Sequence, residues 1–267
     1  MNKSPDHNFE SNQPSGRQWA VVAAIVIFFG CAIIAFTFFV FQSITSWSKD
    51  KNMRATETAA AATAVVVERD AAIEAASNWP LLIFDPFDNN DNEWATGDVE
   101  DEYTNLTFTL DEGKYTWQAT ANQGFVWRVW PRPDDVDDFY LAVDAHNISG
   151  NRDAQYGLIF RNRDDSYFFF EVRDTQVFRV LSLYQNEWIE LIPSTFSEAI
   201  RPGDVNHLEV LVRSDEFLLY INGQWVGETT GSYPSEGQAG LAIGLSNAGD
   251  ESTIVFDNFD LRAPPSK

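Results

Sequence analysis

The sequence predicts an all-β domain, a jelly-roll sandwich of two antiparallel sheets, preceded by one transmembrane helix and an alanine-rich helical stalk. Three observations support this prediction. An uncharged apolar run lies near the N-terminus, a segment without Pro or Gly follows it, and from Leu81 onward short aromatic and β-branched runs alternate with Gly, Asn and Asp clusters. Such runs at regular spacing, with no helical pattern between them, indicate a sandwich or a barrel.

The apolar run, Trp19–Phe41, contains 23 residues and no charged side chain. At about 1.5 Å per residue, a helix of this length spans roughly 34 Å, enough to cross a hydrocarbon core of about 30 Å. A cleavable signal peptide is the alternative, but its apolar region is usually only about 7–15 residues long and is followed by small residues. The run therefore predicts a transmembrane helix at 19–41 after a polar tail at 1–18.

Two signals in the sequence disagree on the orientation of this single-pass anchor. Lys3 and Arg17 precede the run, whereas Lys49, Lys51 and Arg54 follow it. Counted alone, these charges would keep the following domain in the cytoplasm. Long domains translocate largely regardless of local charge, and the type of domain predicted below favours the outside. We therefore expect an extracytoplasmic domain, against the flanking charges.

Residues 42–78 predict a helical stalk, because alanine is the best helix former and the segment lacks Pro and Gly. Ala59, Val66 and Ile73 recur at seven-residue intervals, but Arg69 falls on the same stripe and interrupts it as a coiled-coil seam. A spacer helix that lifts the domain off the bilayer is our interpretation. The alternative is a stalk that forms a homo-oligomer or contacts a partner.

The charge of the chain excludes one class of partner. The formal net charge is −22, and residues 79–267 carry 33 acidic against 12 basic side chains. Such a domain repels nucleic acid phosphates and anionic lipid headgroups, so we expect no nucleic acid partner. Cys31 is the only cysteine and lies inside the apolar run, which leaves the predicted domain without a disulfide or a cysteine metal site.

Alternation within the predicted strands assigns side chains to the two faces of a sheet. Leu208, Val210 and Val212 should point inward, because side chains at every second position of a strand share a face. Asn222-Gly223 between two such runs is a strong short-range hairpin signal.

The segment 79–263 resembles a known superfamily through a succession of motifs. They are YGLIFRNRDDSYFFFEV, WIELI, NHLEVLVRSDEFLLYINGQWVGE and GLAIGLSNAGDESTIVFDNFDLR. In this order they resemble the concanavalin A-like lectin/glucanase (laminin-G-like) superfamily, and they are most similar to bacterial domains related to the 3-keto-disaccharide hydrolase family. The resemblance implies a jelly roll whose concave face often binds sugars and whose last strand returns beside the first. Residues 264–267 would form a short tail.

The resemblance also provides a test for catalysis. Glucanases of this superfamily use two carboxylates on one strand as nucleophile and acid/base, in a pattern close to E-x-D-x-x-E. Here Glu171 and Asp174 lie three positions apart, so an ideal strand would point them to opposite faces. We therefore predict a non-catalytic ligand-binding module for a carbohydrate or cell-envelope glycan. The alternatives are an accessory subunit of a membrane complex and a glycoside-type hydrolase.

Aromatic side chains with Arg and Glu between them are the candidate sugar-binding residues. Aromatic faces bind the apolar faces of sugar rings, and charged side chains can bond to the hydroxyl groups. For any single ring, a place in the core is the alternative. The candidate residues are Trp117, Trp127, Arg128, Arg161, Phe169, Glu171, Arg173, Tyr184 and Trp188.

The loop DPFDNNDNEW is the candidate metal site. Its Asp85, Asp88 and Asn90, with Asp257 from the last predicted strand, could hold a structural calcium. The loop is not an EF-hand, because Glu93 and Val99 stand where a glycine and a bidentate glutamate are needed. The alternative is an Asx-rich turn in which these side chains bond to their own backbone. We expect no other cofactor.

Overall fold

The computed structural model describes residues 36, 37, 39, 41, 42, 63–131 and 135–265, and the chain divides after Val66 into two units. In the first unit, residues 36, 37, 39, 41 and 42 are helical. None of the helices among the described residues is both long enough and apolar enough to cross a membrane. The predicted tail, transmembrane helix and first part of the stalk lie largely outside the described residues and stay predictions.

Helix α1 covers residues 63–76, and the described part of the second unit contains fifteen β-strands. Every strand falls within the predicted segment 79–263. The strands are β1 Leu81–Asp85, β2 Gly97–Glu100, β3 Thr104–Asp111, β4 Lys114–Ala121, β5 Phe125–Val129, β6 Phe139–Gly150, β7 Gln155–Arg163, β8 Ser166–Arg173, β9 Val177–Tyr184, β10 Glu187–Phe196, β11 Asn206–Arg213, β12 Glu216–Ile221, β13 Gln224–Thr230, β14 Gln238–Leu245 and β15 Glu251–Arg262.

The strands form two antiparallel sheets, which confirms the predicted all-β sandwich. The nine-stranded sheet runs in the order β13-β12-β11-β6-β15-β4-β3-β2, with β1 paired to β15 in addition. The six-stranded sheet runs in the order β10-β9-β8-β7-β14-β5. Strands that are distant in sequence, such as β6 and β15 or β7 and β14, are neighbours in these sheets. The fold is therefore held together by long-range pairing.

Strand β15 closes the domain by pairing with two strands on the same side. Residues 251–256 pair with β4, and Phe259 to Arg262 pair with β1. Asn258 has a φ of 52° at the irregularity between the two parts. A bulge of this kind shifts the register and bends the strand, and it lies where β15 changes its partner from β4 to β1. The last strand thus returns beside the first, as the sequence predicted.

The core between the sheets follows the predicted alternation. Leu208, Val210 and Val212 are fully buried, while Glu209 on the same strand is only partly buried. Asn222 and Gly223 join β12 to β13 with φ angles of 53° and 72°. Two consecutive positive φ values are typical of the type I′ hairpin turn. Both local predictions are therefore confirmed.

The last part of the stalk packs on the sandwich. Ala76 is fully buried, and Ile73 and Trp79 are partly buried, in an apolar cluster with outward-facing residues of the nine-stranded sheet. The sheet contributes Tyr140, Ala142, Leu211, Leu218 and Tyr220 to this cluster. Helix α1 therefore covers part of the outer face of the sheet. The interpretation of the stalk as a spacer that lifts the domain off the bilayer stays a prediction.

Arg69, which interrupts the seven-residue stripe, contacts the sandwich as well. Its Nε lies 2.9 Å from a carboxylate oxygen of Glu228, and its guanidinium lies 4.1 Å from the ring centroid of Trp225. The hydroxyl of Tyr220 also donates a hydrogen bond of 3.3 Å to Asp70. Arginine fits this stripe because the stripe faces β12 and β13.

We expect Ile73→Ala to lower the free energy of unfolding of the full chain by about 1–2 kcal/mol, because it removes apolar contacts between α1 and the sheet. Val67→Ala is the matched control, since Val67 is 61% exposed on the same helix. Its effect should stay within about 0.5 kcal/mol. Urea denaturation measures both values. Equal effects of the two substitutions would contradict the packing of α1 on the sheet.

Candidate functional site

A groove of about 700 Å³ crosses the outer face of the six-stranded sheet. Its floor comes from β9, where Arg179 and Leu181 point outward while Phe178 and Val180 point into the core. The edge strands β5 and β10 form its two sides. Its lining includes the side chains of Arg128, Gln155, Tyr167, Arg179, Trp188 and Glu190.

A contiguous group of two rings and a guanidinium reaches across the groove from β10 through β8 to β5. Trp188 meets Tyr167 edge to face, with the ring centroids 5.7 Å apart, and 46% of Trp188 is exposed. The guanidinium of Arg128 lies 4.7 Å from the centroid of the Tyr167 ring. Arg128 also donates hydrogen bonds to Asp165 at 2.8 Å and Asn162 at 3.1 Å. Trp188 is therefore an exposed ring held in a fixed position.

The floor of the groove rests on a buried carboxylate. Glu171 on β8 has no exposed surface, and its Oε1 accepts hydrogen bonds from Arg173 at 2.8 Å and from Arg179 at 2.7 Å. A second Arg179 nitrogen lies 3.2 Å from Glu171 Oε2. A buried charge is tolerated only when it is paired and hydrogen-bonded. Arg179 is thus fixed where its remaining donors face the groove, near Glu190 at 3.6 Å and Gln155 at 3.5 Å.

Five of the predicted binding residues lie on or just beneath this face. Arg128 and Trp188 line the groove, while Glu171 and Arg173 belong to the charge network under it. Trp127 borders the groove, but its side chain packs against the core between the sheets, which corrects its assignment. Phe169 is fully buried in an apolar cluster on the same outer face, together with Tyr167 and Leu181.

Trp117 and Arg161 lie elsewhere, which corrects their assignment to the site. Trp117 is fully buried between the sheets, and its ring meets Phe108 at 4.9 Å, because its position on β4 points inward. Arg161 sits where β7 is irregular, with a φ of 51°, and donates to the carbonyls of Gly231, Asp137 and Ser214. Both side chains hold the fold together.

Tyr184 lies beside the groove and not in it. It ends β9 and meets Tyr233 with 5.0 Å between the ring centroids. Sequence reasoning missed Arg179, Tyr167 and Glu190. Arg179 could have been found, because it alternates with the inward-pointing Phe178 and Val180 and stands directly opposite Glu171 in the register of β8 and β9.

The predicted calcium loop forms a hydrogen-bonded turn. Asp85 is 3% exposed, and it accepts hydrogen bonds from the Phe87 backbone, Asn92 and the Trp94 indole, each 2.7 Å long. Asn90 bonds to the backbone of Trp94 through both ends of its amide. The protein itself therefore satisfies two of the four predicted ligands, as the Asx-turn alternative requires.

Asp257, the fourth predicted calcium ligand, accepts a hydrogen bond from the backbone of Asn258. Burial, with a contribution from the charge of Asp144, raises the pKa of Asp257. In the described part of the chain, no three Asp, Glu, His or Cys side chains are grouped so that they could hold a metal ion. Calcium binding that involves Asp88 stays a prediction.

A second depression, of about 670 Å³, lies on the nine-stranded sheet. It is lined by short polar side chains such as Asp98, Thr107, Gln118 and Thr253, and none of its described lining residues is aromatic. Sugar rings need an apolar surface as well as hydrogen-bonding groups. The groove on the six-stranded sheet, which offers both, is therefore the better candidate site.

A histidine network lies on the outer face of the nine-stranded sheet. His207 Nδ1 is 2.7 Å from Asp144 Oδ1, and Asn258 donates to the other Asp144 oxygen at 2.9 Å. The hydrogen bond with Asp144 raises the pKa of His207, and the nearby charge of Glu209 adds to this effect. Burial works against the charged form of Asp144, but the hydrogen bonds from His207 and Asn258 lower its pKa. The pair therefore stabilises the fold through the protonated His207.

Comparison with known proteins shows the fold. No family model and no curated protein matches the chain. Among solved structures, it is similar to a GlcNAcα1-4Gal-releasing endo-β-galactosidase from Clostridium perfringens, with 12% identity and a TM-score of 0.54 over 70% of this chain and 63% of that one. The catalytic domain of an endo-1,3-β-glucanase (laminarinase) from Thermotoga petrophila matches with 11% identity and a TM-score of 0.50 over 71% and 99%.

A carbohydrate-binding module, CBM66 from Bacillus subtilis, also matches, with 20% identity and a TM-score of 0.48 over 63% of this chain and 96% of that one. The two structures with the higher TM-scores show that the chain shares their fold, a sandwich of two antiparallel β-sheets. At these identities the likeness is one of fold, and the activity has to be argued from the site.

We expect the stability of the chain to fall as pH rises through the folded-state pKa of His207. This pKa lies above the ordinary value of about 6.5, so the stabilisation is fully present below about pH 6.5 and is lost at higher pH. Urea denaturation between pH 6 and pH 9 measures the slope. His207→Gln, which cannot titrate, should give a flatter profile over this interval. An unchanged slope in His207→Gln would contradict a stabilising charge on His207.

Proposed function

We propose that this chain is a single-pass membrane protein whose β-sandwich binds a carbohydrate or cell-envelope glycan in the groove, without catalysing its breakdown. The observation that carries the proposal is an exposed, fixed aromatic ring, Trp188, above a polar floor that contains Arg179, Gln155 and Glu190. An aromatic face packs against the C–H face of a sugar ring, and the polar floor can bond to its hydroxyl groups.

The floor suits a sugar because it offers both donors and acceptors. Arg179 is fixed by Glu171 and supplies donors, whereas the Glu190 carboxylate, half exposed, supplies acceptors. Sugar hydroxyls donate and accept, so both kinds of group can be used at once. The two structures of similar fold with the higher TM-scores are named for enzymes that act on glycans, which supports this ligand class by analogy of fold.

The state of Glu171 supports a non-catalytic role. Retaining and inverting glycosidases both need two carboxylic groups that flank the scissile bond. Glu171 is fully buried and bonded to two arginines, so it has no surface with which to contact a ligand. The other two carboxylates in the groove have partners within the chain. Glu190 lies 3.6 Å from Arg179, and Asp101 accepts hydrogen bonds from the backbone N–H groups of Tyr103 and Thr104.

The anchor rests on the uncharged run Trp19–Phe41, and the extracytoplasmic placement rests on the type of domain. The negative charge of the sandwich argues against a nucleic acid partner.

Membranes washed in alkaline carbonate should retain the chain, because a transmembrane helix stays in the bilayer after such a wash. Release of the chain into the supernatant would contradict the anchor.

We expect the full chain, kept in a mild detergent, to bind at least one class of neutral oligosaccharide on a broad glycan array, and Trp188→Ala to weaken this binding at least about tenfold. Loss of one well-placed aromatic contact accounts for a change of this size. Phe196→Ala is the matched control, because Phe196 is 63% exposed on the same strand and does not line the groove. It should leave the affinity unchanged.

Flat binding across the array would overturn the proposal. Equal losses in Trp188→Ala and Phe196→Ala would show that the glycan binds outside the groove. Unfolding curves of both variants confirm that the fold is intact.

A further inference from the structure

A smaller depression of about 360 Å³ lies at the tips of two hairpins of the six-stranded sheet. The β7–β8 turn contributes Asp164 and Asp165, and the end of β9 contributes Tyr184. Tyr233 packs against Tyr184 edge to face and is 51% exposed. We call this surface, with the neighbouring Ser166, Leu183, Gln185 and Asn186, the hairpin-tip depression.

The hairpin-tip depression is continuous with the groove. Leu183 and Asn186 line both surfaces. Arg128 in the groove forms an ion pair of 2.8 Å with Asp165 in the hairpin-tip depression, so this pair spans the boundary. The groove presents the exposed rings of Trp188 and Tyr103, and the hairpin-tip depression presents the exposed ring of Tyr233.

The charges on the combined surface disfavour anionic ligands. The two arginines that line it, Arg128 and Arg179, are both ion-paired within the chain. Glu190 and Asp164 add negative charge along the same path. An anionic sugar would lie beside these carboxylates without an unpaired cation to compensate, because the described lining residues include no other Lys or Arg.

We propose that the groove and the hairpin-tip depression together bind one neutral glycan chain several sugars long, with Trp188 and Tyr233 as two separate stacking platforms. This inference rests on the proposed function, since it specifies the ligand of the same site. Two platforms on one continuous surface favour an extended oligosaccharide over a single sugar, because linked contacts add without a second cost of association.

The test compares chain lengths with the full chain in detergent. The probes are neutral gluco-, galacto- and manno-oligosaccharides of two and six units, and a six-unit oligogalacturonate as the anionic probe. For the sugar that binds, the six-unit chain should bind at least about tenfold more tightly than the two-unit chain. Tyr233→Ala should remove most of this advantage, because it removes the second platform. Tyr233→Phe, which keeps the ring, should retain the advantage.

The apparent affinity also rises with chain length for a statistical reason, because a repeating polymer can occupy the groove in several registers. This effect persists in Tyr233→Ala, so only the part of the advantage that is lost in the variant reports on the second platform. Equal length dependence in wild type and Tyr233→Ala would overturn the inference and leave the proposed function intact. Tighter binding of the oligogalacturonate than of every neutral six-unit chain would contradict the proposal that the ligand is neutral. Failure of every oligosaccharide to bind would overturn the proposed function itself.

Discussion

The buried carboxylate of Glu171 is the interaction on which the outer face of the six-stranded sheet depends. It has no exposed surface, and Arg173 and Arg179 surround it. A buried charge without such partners would destabilise the sheet by several kcal/mol. The same contacts that satisfy Glu171 also hold Arg179 at the floor of the groove, so a requirement of folding sets the geometry of the candidate site.

An apolar cluster lies on the same outer face as this charge network. Ile159, Tyr167, Phe169 and Leu181 pack there with little or no exposed surface. The inner face of the six-stranded sheet packs against the nine-stranded sheet. On its outer face, the side chains of the apolar cluster pack against one another and are buried as well. Trp188 rests on the edge of that layer through Tyr167, which explains how a half-exposed ring keeps one orientation. A rigid platform of this kind loses little conformational entropy on binding.

The fold was predictable because strand alternation and turn chemistry are local properties. The alternation of residues around Leu208 predicted which side chains point into the core. Asn222-Gly223 predicted a hairpin because both residues readily adopt positive φ angles. Site residues were harder to predict, because parity alone does not say which of the two faces of a strand is the core. Trp117 and Phe169 are both large aromatic residues in strands, yet one lies between the sheets and the other on the outer face.

Two features depended on contacts that no local pattern reveals. Arg161 adopts a positive φ at an irregularity of β7, which removes it from the parity of its strand. Arg69 interrupts the predicted coiled-coil stripe, but it contacts Glu228 and Trp225, which lie far along the chain on β13. On α1, Ile73 and Ala76 pack against apolar side chains of the sheet, whereas Arg69 pairs with the charged side chain of Glu228. Only the long-range pairing of β12 and β13 with the rest of the sheet places these partners together.

The most direct test of this account is the paired measurement of stability and glycan affinity in Glu171→Gln, with Glu190→Gln as the exposed control. We predict that Glu171→Gln lowers the free energy of unfolding by about 2–4 kcal/mol and weakens glycan binding, because Arg173 and Arg179 lose their shared partner. Glu190→Gln should change stability by less than about 0.5 kcal/mol, since Glu190 is largely solvated. Equal stability of the two variants, or unchanged glycan binding in Glu171→Gln, would contradict the claim that the buried carboxylate holds the floor of the groove.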